Sequence, residues 1–477
     1  MARRLLTLLA ALLLALSLGQ PSASAASFAN PVKSVKGADP WIAYHDGNYY
    51  LVTTSWTDAI TIRRSPTLAG LASAPSVQVW RGDAANRCCN IWAPELHFLN
   101  GRWYLYYVAG QNVSDYIPTQ RTHVLESAGS DPMGPYTYRN QLNSAWMLDP
   151  NVATINGQLY LFGSASGGGT QNLVAARMSN PYTLATGFST ISTPTYDWER
   201  NGTVNEGPEI LQRGGRTFLV YSGSGCWTPD YKLGRLTLTG SDPLSASSWT
   251  KTSTPVFQRS DTNGVYGPGH NGFFTSPDGT ENWIVYHAND SASDGCDNGR
   301  TTRAQKFTWN SDGTPNFGTP VRLGASLAGP SGEPATASTA YTVVNRNSGK
   351  CLDVAGSSAS DGANEQQWSS GGGNNQKWRL EDLGDDTHRL VNVATGKVLD
   401  TENCSGADGA DLRQWSWLDN TCQRFRFIAT DTGHVRIVNQ ATGKVADVAN
   451  CGTADGTDVR QWTWLNNTCQ QWRLSPA

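Results

Sequence analysis

Three acidic residues and one histidine, far apart in the sequence, open segments of similar composition. Asp39 and Asp149 each precede a proline, Glu206 precedes a Gly-Pro pair, and His270 stands in a Gly-His-Asn triplet. Burying several carboxylates together without basic neighbours costs free energy, so their convergence would indicate a function. One carboxylic acid that protonates a leaving oxygen and one carboxylate that activates water can together hydrolyse a glycosidic bond.

These residues begin a repeated pattern of strand, tight turn and aromatic-rich strand, which is typical of a β-hairpin. Because the polar residue opens the innermost strand each time, the side chains are expected to surround one axis. Five copies at intervals of 54 to 64 residues leave room for outer strands. They predict a five-bladed β-propeller over residues 27–324. The turns are Asp46-Gly47, Asn100-Gly101, Asn156-Gly157, Gly214-Gly215 and Asp278-Gly279.

The five segments resemble glycoside hydrolase family 43, the arabinanase, arabinofuranosidase and β-xylosidase group, over residues 28–324. The resemblance implies that Asp39 is the general base and Glu206 the general acid, and that Asp149 raises the pKa of the acid and orients it. The family inverts configuration, so base and acid are expected to lie about 6.5 to 9.5 Å apart. The matching motifs are Ala38-Asp39-Pro40, Trp92-Ala93-Pro94, Leu148-Asp149-Pro150, Glu206-Gly207-Pro208 and Gly269-His270-Asn271.

Some of these roles have alternatives. Glu209 competes with Glu206 for the role of acid, but strand alternation makes the two side chains face opposite ways. His270 is either a hydrogen-bonded interior residue or, as the resemblance implies, a ligand of a central calcium or sodium ion that is otherwise mostly bound by water. Arg303 matches the family's arginine beside the acid, where it would contact a substrate hydroxyl, and Arg300 is the alternative.

The C-terminal third repeats with a period of 47 residues and shows no helical periodicity. Three such units predict a closed threefold β arrangement. They resemble the ricin-type β-trefoil lectins over residues 340–477, because each unit ends in a Q-x-W motif, once with Phe for Trp. The motifs are Gln376-Lys377-Trp378, Gln423-Arg424-Phe425 and Gln470-Gln471-Trp472. The chain is therefore expected to be all-β, a five-bladed β-propeller followed by a β-trefoil.

The lectin resemblance implies a shallow sugar site in each unit, formed by its first Asp and an aromatic residue, with the motif Gln and Trp in the core. Asn375 matches a further polar sugar ligand of that family. Cys422 and Cys469 stand at the matching positions of the other two units, whose ligand sets are less defined. The implied pairs are Asp353 with Trp368, Asp400 with Trp415, and Asp447 with Trp462.

The nine cysteines are expected to form disulfides, because export permits them and no paired Cys-x-x-Cys spacing indicates zinc. Two pairs, each 18 residues apart, recur at the same position of consecutive lectin units and would each close a loop. The plausible pairs are Cys404 with Cys422, Cys451 with Cys469, and Cys226 with Cys296, which leaves Cys351 over.

The predicted rim carries a short unusual stretch. Adjacent Cys88 and Cys89 could form a vicinal disulfide, a rigid apolar plate near the substrate. Trp92 follows as a candidate sugar platform, although a core role is also open. The stretch from Cys88 to Glu95 looks most like the exo-1,5-arabinofuranosidase branch of the family.

Two segments are predicted to lie outside the domains. Residues 1–26 contain two arginines, an apolar run and a small-residue stretch, which indicates a signal peptide. The run is shorter than the roughly 20 residues of a spanning helix, so the chain is expected to be secreted without a membrane anchor. Residues 325–339 consist mainly of small residues, Pro and Gly and are expected to be a flexible linker.

Composition limits the partners. Charged residues make up 16% of the chain and the net charge is -3, which gives no reason to expect nucleic acid or an anionic membrane as a partner. We expect a monomeric exo-α-1,5-L-arabinofuranosidase that acts on arabinan or arabinoxylan of plant cell walls, with the lectin domain adding weak multivalent contacts. The alternatives are a β-xylosidase, an endo-1,5-α-L-arabinanase and a non-catalytic carbohydrate-binding protein.

Overall fold

The computed structural model describes residues 27–297, 299–335 and 338–477, and the predicted signal peptide, residues 1–26, lies outside the described residues. This part of the chain forms β-strands and short 3-10 helices. No helix within it is long and apolar enough to cross a membrane. The 3-10 helices span Ala69–Ala72, Ile117–Thr119, Asp197–Glu199, Ala246–Ser248, Asp261–Asn263, Ala355–Ser357, Asn374–Gln376, Glu402–Cys404, Thr421–Gln423, Ala449–Cys451 and Thr468–Gln470.

The N-terminal domain consists of consecutive antiparallel sheets. Its strands are β1 Ser27–Ala29, β2 Trp41–His45, β3 Asn48–Val52, β4 Ala59–Ser65, β5 Val77–Arg81, β6 Cys89–Leu99, β7 Arg102–Gly110, β8 Arg121–Ser127, β9 Tyr136–Gln141, β10 Leu148–Ile155, β11 Gln158–Gly167, β12 Thr170–Asn180, β13 Thr183–Leu184, β14 Ser189–Ser192, β15 Asn205–Arg213, β16 Arg216–Gly223, β17 Lys232–Leu238, β18 Trp249–Lys251, β19 Tyr266–Thr275, β20 Asn282–Asn289, β21 Thr301–Trp309, β22 Pro315–Asn316 and β23 Ser326–Ala328. Strands β2–β5, β6–β9, β15–β18 and β19–β22 are paired in chain order, and in β10–β14 the strand β12 carries both β13 and β14.

The sheets form a propeller-like ring. The first strand of each sheet packs against the first strand of the next, and β19 packs back against β2, so the inner strands surround a channel. Tight turns explain the hairpins, because a type I′ turn needs positive φ at two consecutive residues. Both residues have positive φ in Asp46-Gly47, Asn100-Gly101, Asn156-Gly157 and Gly214-Gly215.

The C-terminal domain has three four-stranded units, residues 341–382, 388–429 and 435–476, called the first, second and third units. Its strands are β24 Tyr341–Asn345, β25 Cys351–Val354, β26 Glu365–Trp368, β27 Trp378–Asp382, β28 His388–Asn392, β29 Val398–Thr401, β30 Leu412–Trp415, β31 Phe425–Ala429, β32 Val435–Asn439, β33 Val445–Val448, β34 Thr457–Trp462 and β35 Trp472–Pro476. Pairing of β24 with β35 closes the arrangement. The aromatic residues of the three motifs, Trp378, Phe425 and Trp472, are buried in one core, which confirms their predicted role.

The two domains are packed directly against each other. Strand β5 pairs in parallel with β31, and apolar residues of both domains share one core. The Arg63 guanidinium forms an ion pair with Asp382, and His388 Nε2 accepts a hydrogen bond from the Ser76 backbone N–H at 3.1 Å. Backbone pairing and buried polar contacts therefore hold the domains together.

The segment predicted as a flexible linker, residues 325–339, is packed over part of its length, so this prediction is wrong there. Strand β23 pairs with β1. Glu333 is buried and accepts a hydrogen bond from the Leu68 backbone N–H at 2.8 Å, and Ser331 donates to Asp278 at 2.5 Å. Small-residue composition does not reveal that an unpaired strand edge is available to pair with the segment.

The predicted disulfides are confirmed, including the vicinal one. Each lies within one domain, and Cys351 is a buried free thiol within the described residues. The disulfides join Cys88 with Cys89, Cys226 with Cys296, Cys404 with Cys422, and Cys451 with Cys469.

Glu365 is a buried acid in the core of the first unit. The repeat places Leu412 and Val459 at the same position in the other units. The Glu365 side chain is 0% exposed, and neither carboxyl oxygen has a hydrogen-bond partner among the described residues. Burial, and next the charge of Asp353, raises the pKa of Glu365 well above its usual value.

We predict that Glu365→Leu stabilises the protein by about 2 kcal/mol, because it replaces an unpartnered carboxyl group with the apolar residue of the second unit. Thermal unfolding measured between about pH 5 and 8 checks this. Since the folded pKa lies above the unfolded one, the folded state binds more protons, and this acid lowers stability as pH rises above about 4.5. Glu365→Gln, the control, should weaken this pH dependence. A lower melting temperature for Glu365→Leu would contradict the prediction.

Candidate active site

Five residues within or just before the innermost strands have left-handed backbone conformation. Outside glycine, positive φ is uncommon and is enriched in Asp, Asn and His. In β6, β10, β15 and β19 these residues lie where the strand register shifts, and such bulges redirect side chains. The bulges thus direct polar groups into the channel. The φ values are 51° at Asp39, 42° at Ala93, 56° at Asp149, 53° at Gly207 and 43° at His270.

Asp39 is surrounded by hydroxyl and basic groups. The Thr54 hydroxyl donates to Oδ2 at 2.5 Å, and the Arg300 guanidinium lies 3.3 Å from Oδ1. His270 Nδ1 and His287 Nδ1 each lie 3.3 Å from the same oxygen. Burial by itself raises the pKa of Asp39, but Arg300 and then His270 hold it well below its usual value. Asp39 is therefore ionised at neutral pH, as a general base must be.

Asp149 and Glu206 are carboxyl groups with raised pKa values. Asp149 Oδ2 accepts a hydrogen bond from the Gly207 backbone N–H at 2.9 Å. The Tyr231 hydroxyl donates to Glu206 Oε1 at 2.9 Å, and Gln171 Nε2 donates to Oε2 at 2.8 Å. Burial first raises the pKa of each acid to about 7, and the charge on Asp149 is the next cause at Glu206. The channel thus holds ionised and protonated carboxyl groups at the same pH.

Glu209 does not face away from the channel, so the prediction from strand alternation is wrong. The register shift between Glu206 and Glu209 breaks the two-residue period. Asn151 Nδ2 donates to Glu209 Oε2 at 2.8 Å and to Glu95 Oε2 at 3.0 Å. Burial, and next the charge of Glu95, raises the pKa of Glu209 well above its usual value. Glu209 is therefore engaged in a buried network of inner-strand side chains.

Arg300, the alternative to Arg303, is the arginine that reaches the carboxylates. Arg303 is 0% exposed and its guanidinium pairs with Asp290, so the prediction that Arg303 contacts substrate is wrong. The reason is its position within β21, where its side chain is enclosed. Arg300 stands just before β21 begins and extends to Asp39.

Trp92 lies at the bulge of β6, and its position relative to Ala93 is that of Glu206 relative to Gly207. Its indole is half-buried and meets the Tyr116 ring edge to face at 5.7 Å. The indole N–H has no hydrogen-bond partner among the described residues. The N–H itself is buried, so contact with a sugar would use the exposed part of the ring.

His270 was predicted to hold a calcium or sodium ion, and this stays a prediction. No three His, Cys, Asp or Glu side chains form a metal-binding group within the described residues. Hard cations take six to eight oxygen ligands, whereas His270 offers one imidazole whose Nδ1 lies against Asp39. This donor set does not fit a site made of protein ligands alone.

The predicted lectin residues lie on adjacent strands of each unit. The aspartates stand on β25, β29 and β33, and the tryptophans end β26, β30 and β34. Asn375 Nδ2 donates to Asp353 Oδ2 at 2.7 Å. In the second and third units, Arg413 and Arg460 contact the aspartate. The sequence did not predict these two arginines as site residues. The predicted pairs are Asp353 with Trp368, Asp400 with Trp415, and Asp447 with Trp462.

Four polar residues around the carboxylates were also missed. They come from second strands, third strands and loops, whose register the sequence does not reveal. The sequence offers a signal for Thr54 alone, which belongs to the Thr53-Thr54 pair at the end of the first hairpin. The missed residues are Thr54, Gln171, Tyr231 and His287.

Comparison with known families agrees with this geometry. The N-terminal domain matches the glycosyl hydrolases family 43 over residues 28–315. The chain belongs to glycosyl hydrolase family 43. Residues 331–415 and 421–477 match the ricin-type beta-trefoil lectin domain-like family. The protein is therefore a glycoside hydrolase with a C-terminal β-trefoil lectin domain, which confirms both resemblances.

Relatives within family 43 share much of the chain. An extracellular exo-alpha-(1->5)-L-arabinofuranosidase of Streptomyces avermitilis is 41% identical over 345 residues, covering 68% of this chain and 71% of the relative. One of the same name from Streptomyces chartreusis is 38% identical over 275 residues, covering 55% of this chain and 83% of the relative. The crystal structure of alpha-L-arabinofuranosidase from Lactobacillus brevis is 36% identical, with a TM-score of 0.59 over 62% of this chain and 98% of that chain.

The carboxyl groups of this family 43 site predict a bell-shaped pH dependence. The kcat/KM for arabino-oligosaccharides, whose alcohol leaving group needs a proton, should fall above about pH 7 as Glu206 loses its proton, and at low pH as Asp39 gains one. Tyr231→Phe removes a hydrogen bond that lowers the pKa of Glu206, so the alkaline limb should move to higher pH. Tyr196→Phe, in another loop, serves as the control. If the alkaline limb of Tyr231→Phe stayed at the same pH, its assignment to Glu206 would be wrong.

Proposed function

We propose that the protein is a secreted exo-acting α-L-arabinofuranosidase that releases L-arabinose from arabinan or arabinoxylan of plant cell walls. The observation that carries this proposal is one channel in which Asp39 lies against the Arg300 guanidinium while burial raises the pKa of Glu206 to about 7. Similarity to exo-alpha-(1->5)-L-arabinofuranosidases that are described as extracellular supports the sugar, the exo action and the secretion. The predicted signal peptide also favours secretion.

The reaction is a single displacement with inversion. Glu206 donates its proton to the glycosidic oxygen as the bond from that oxygen to the anomeric carbon breaks. Asp39 takes a proton from water while the water oxygen bonds to the anomeric carbon from the opposite side. The leaving group departs as an alcohol, and proton exchange with solvent restores both carboxyl groups.

Other channel residues assist these two. Asp149 raises the pKa of Glu206 and holds the adjacent backbone through the Gly207 N–H. Arg300 keeps Asp39 ionised and presents guanidinium N–H groups to substrate hydroxyls. We assign Trp92 to the sugar, because its indole is half-buried and it stands at the bulge of inner strand β6.

We also infer that the N-terminal domain is a five-bladed propeller and that the protein acts as a monomer. Strands β2–β5 are paired in chain order, like those of the other sheets, which supports a fifth blade. Strand β5 also pairs with β31 of the trefoil. The packing of β19 against β2 favours closure after the fifth sheet. Support for a monomer is that one chain supplies every proposed catalytic group.

The acid is tested by the leaving group that it must protonate. We predict that Glu206→Gln lowers kcat on arabinan at least about 100-fold, because the leaving alkoxide is no longer protonated. It should retain activity on 2,4-dinitrophenyl α-L-arabinofuranoside, whose leaving group needs no proton, whereas Asp39→Asn should lose activity on both. Glu209→Gln is the matched control. If that variant alone showed the split between the substrates, Glu209 would be the acid.

Product analysis tests the substrate and the mode of action. Debranched arabinan should yield arabinose alone from the first time points, and proton NMR should show the anomer of inverted configuration first. Arabino-oligosaccharides would instead indicate an endo-arabinanase, and xylose released from xylan a β-xylosidase. Sugar binding without any hydrolysis would indicate a carbohydrate-binding protein.

A further inference from the structure

The three lectin units differ at two positions near the aspartate that all three units share. Gln366 of the first unit is replaced by Arg413 and Arg460, and Asn375 by the disulfide cysteines Cys422 and Cys469. Gln366 and Asn375 both contact Asp353, whereas Arg413 and Arg460 contact the aspartate and the tryptophan of their units. The units therefore cannot offer the same ligands to a sugar.

In the first unit, the aspartate is held by neutral amides. Gln366 Nε2 donates to Asp353 Oδ1 at 2.9 Å, and Asn375 and Gln376 donate to Oδ2 at 2.7 and 3.0 Å. Trp368 is 43% exposed. Amide and carboxylate groups beside a bare aromatic face suit a neutral sugar, whose hydroxyls bond to the polar groups while its C–H face covers the ring.

In the second and third units, an arginine occupies this space. Arg413 Nε donates to Asp400 Oδ1 at 3.0 Å, and its guanidinium carbon lies 4.2 Å from the centroid of Trp415. The third unit repeats this arrangement, with a 3.3 Å hydrogen bond from the arginine and the same 4.2 Å distance to its tryptophan. A guanidinium that bonds the carboxylate and covers the indole fills the place that a sugar ring would take.

The loops beside these aspartates also make the first unit more open than the other two. The pocket beside Asp353 is lined partly by Gly356, Gly371 and Gly373, which carry no side chains into it. At the positions of Ser370 and Gly371, the second unit has Trp417 and Leu418, and the third unit also has Trp and Leu. The first unit is therefore the open one.

We propose that the trefoil binds a neutral sugar residue with adjacent hydroxyls through its first unit alone, and that the second and third units are closed by their own arginines. This rests on the proposed function insofar as the sugar belongs to arabinan or arabinoxylan. Binding through one site on a domain packed against the propeller orients the polysaccharide, in place of the multivalent contacts that the lectin resemblance suggests.

The repeat supplies matched variants for the test. In a Glu206→Ala background, which prevents hydrolysis, depletion of protein by insoluble arabinoxylan gives the affinity. Trp368→Ala should weaken binding about tenfold, because it removes the sugar platform. Trp415→Ala and Trp462→Ala, at the equivalent positions, should leave the affinity within about twofold of the parent. Melting temperatures show that each variant is folded.

A loss of affinity in Trp415→Ala or Trp462→Ala equal to that in Trp368→Ala would overturn the proposal. An unchanged affinity in Trp368→Ala, or a parent that does not bind, would also overturn it. Arg413→Gln, which gives the second unit the amide of the first, should lower the apparent Kd, because a second site on the same protein can then engage the polysaccharide. Hydrolysis of 4-nitrophenyl α-L-arabinofuranoside by the same trefoil variants with Glu206 intact is measured separately. If the unaltered chain did not hydrolyse this substrate, the proposed function would be refuted. The comparison of binding among the trefoil variants would still stand.

Discussion

The partial burial of several carboxyl groups around one channel is the constraint on which the catalytic domain depends. In water, two carboxylates at neutral pH are both ionised and neither can donate a proton. Burial penalises every charge, so the groups ionise only where an opposite charge compensates. Asp39 has that compensation from Arg300, whereas Asp149 and Glu206 have mainly hydrogen-bond donors. One environment thus separates two protonation states.

The backbone contributes to this separation. Side chains of a regular strand alternate between faces, so a regular innermost strand would present every second residue to the channel. The left-handed residues interrupt the alternation, and each non-glycine residue in that conformation costs about 1 kcal/mol or more. Asp39, Asp149 and His270 are of types that tolerate it, and their contacts across the channel offset the cost. Catalytic identity and backbone conformation are therefore selected together at these positions.

The sequence revealed what is periodic and missed what depends on register. Turn residues predicted the hairpins, and the hairpins placed Asp39, Asp149, Glu206 and His270 at one end of the channel. The same reasoning failed for Glu209. A bulge of one residue reverses the face of the sheet on which each later side chain of the strand lies. Arg300 and Tyr231 could not be found this way, since their contacts depend on which loop lies beside which inner strand.

The lectin domain shows the same limit at a larger scale. Its 47-residue period identified the fold and the core motifs, but a shared fold position does not imply a shared ligand set. The arginines at positions 413 and 460 change the site without disturbing the period. The sheet that begins next to Asp39 with β2 ends with β5, which pairs with β31 of the trefoil. The sheet beside Asp39 and the lectin domain are therefore connected by one continuous set of backbone hydrogen bonds, which fixes the position of the trefoil relative to the channel.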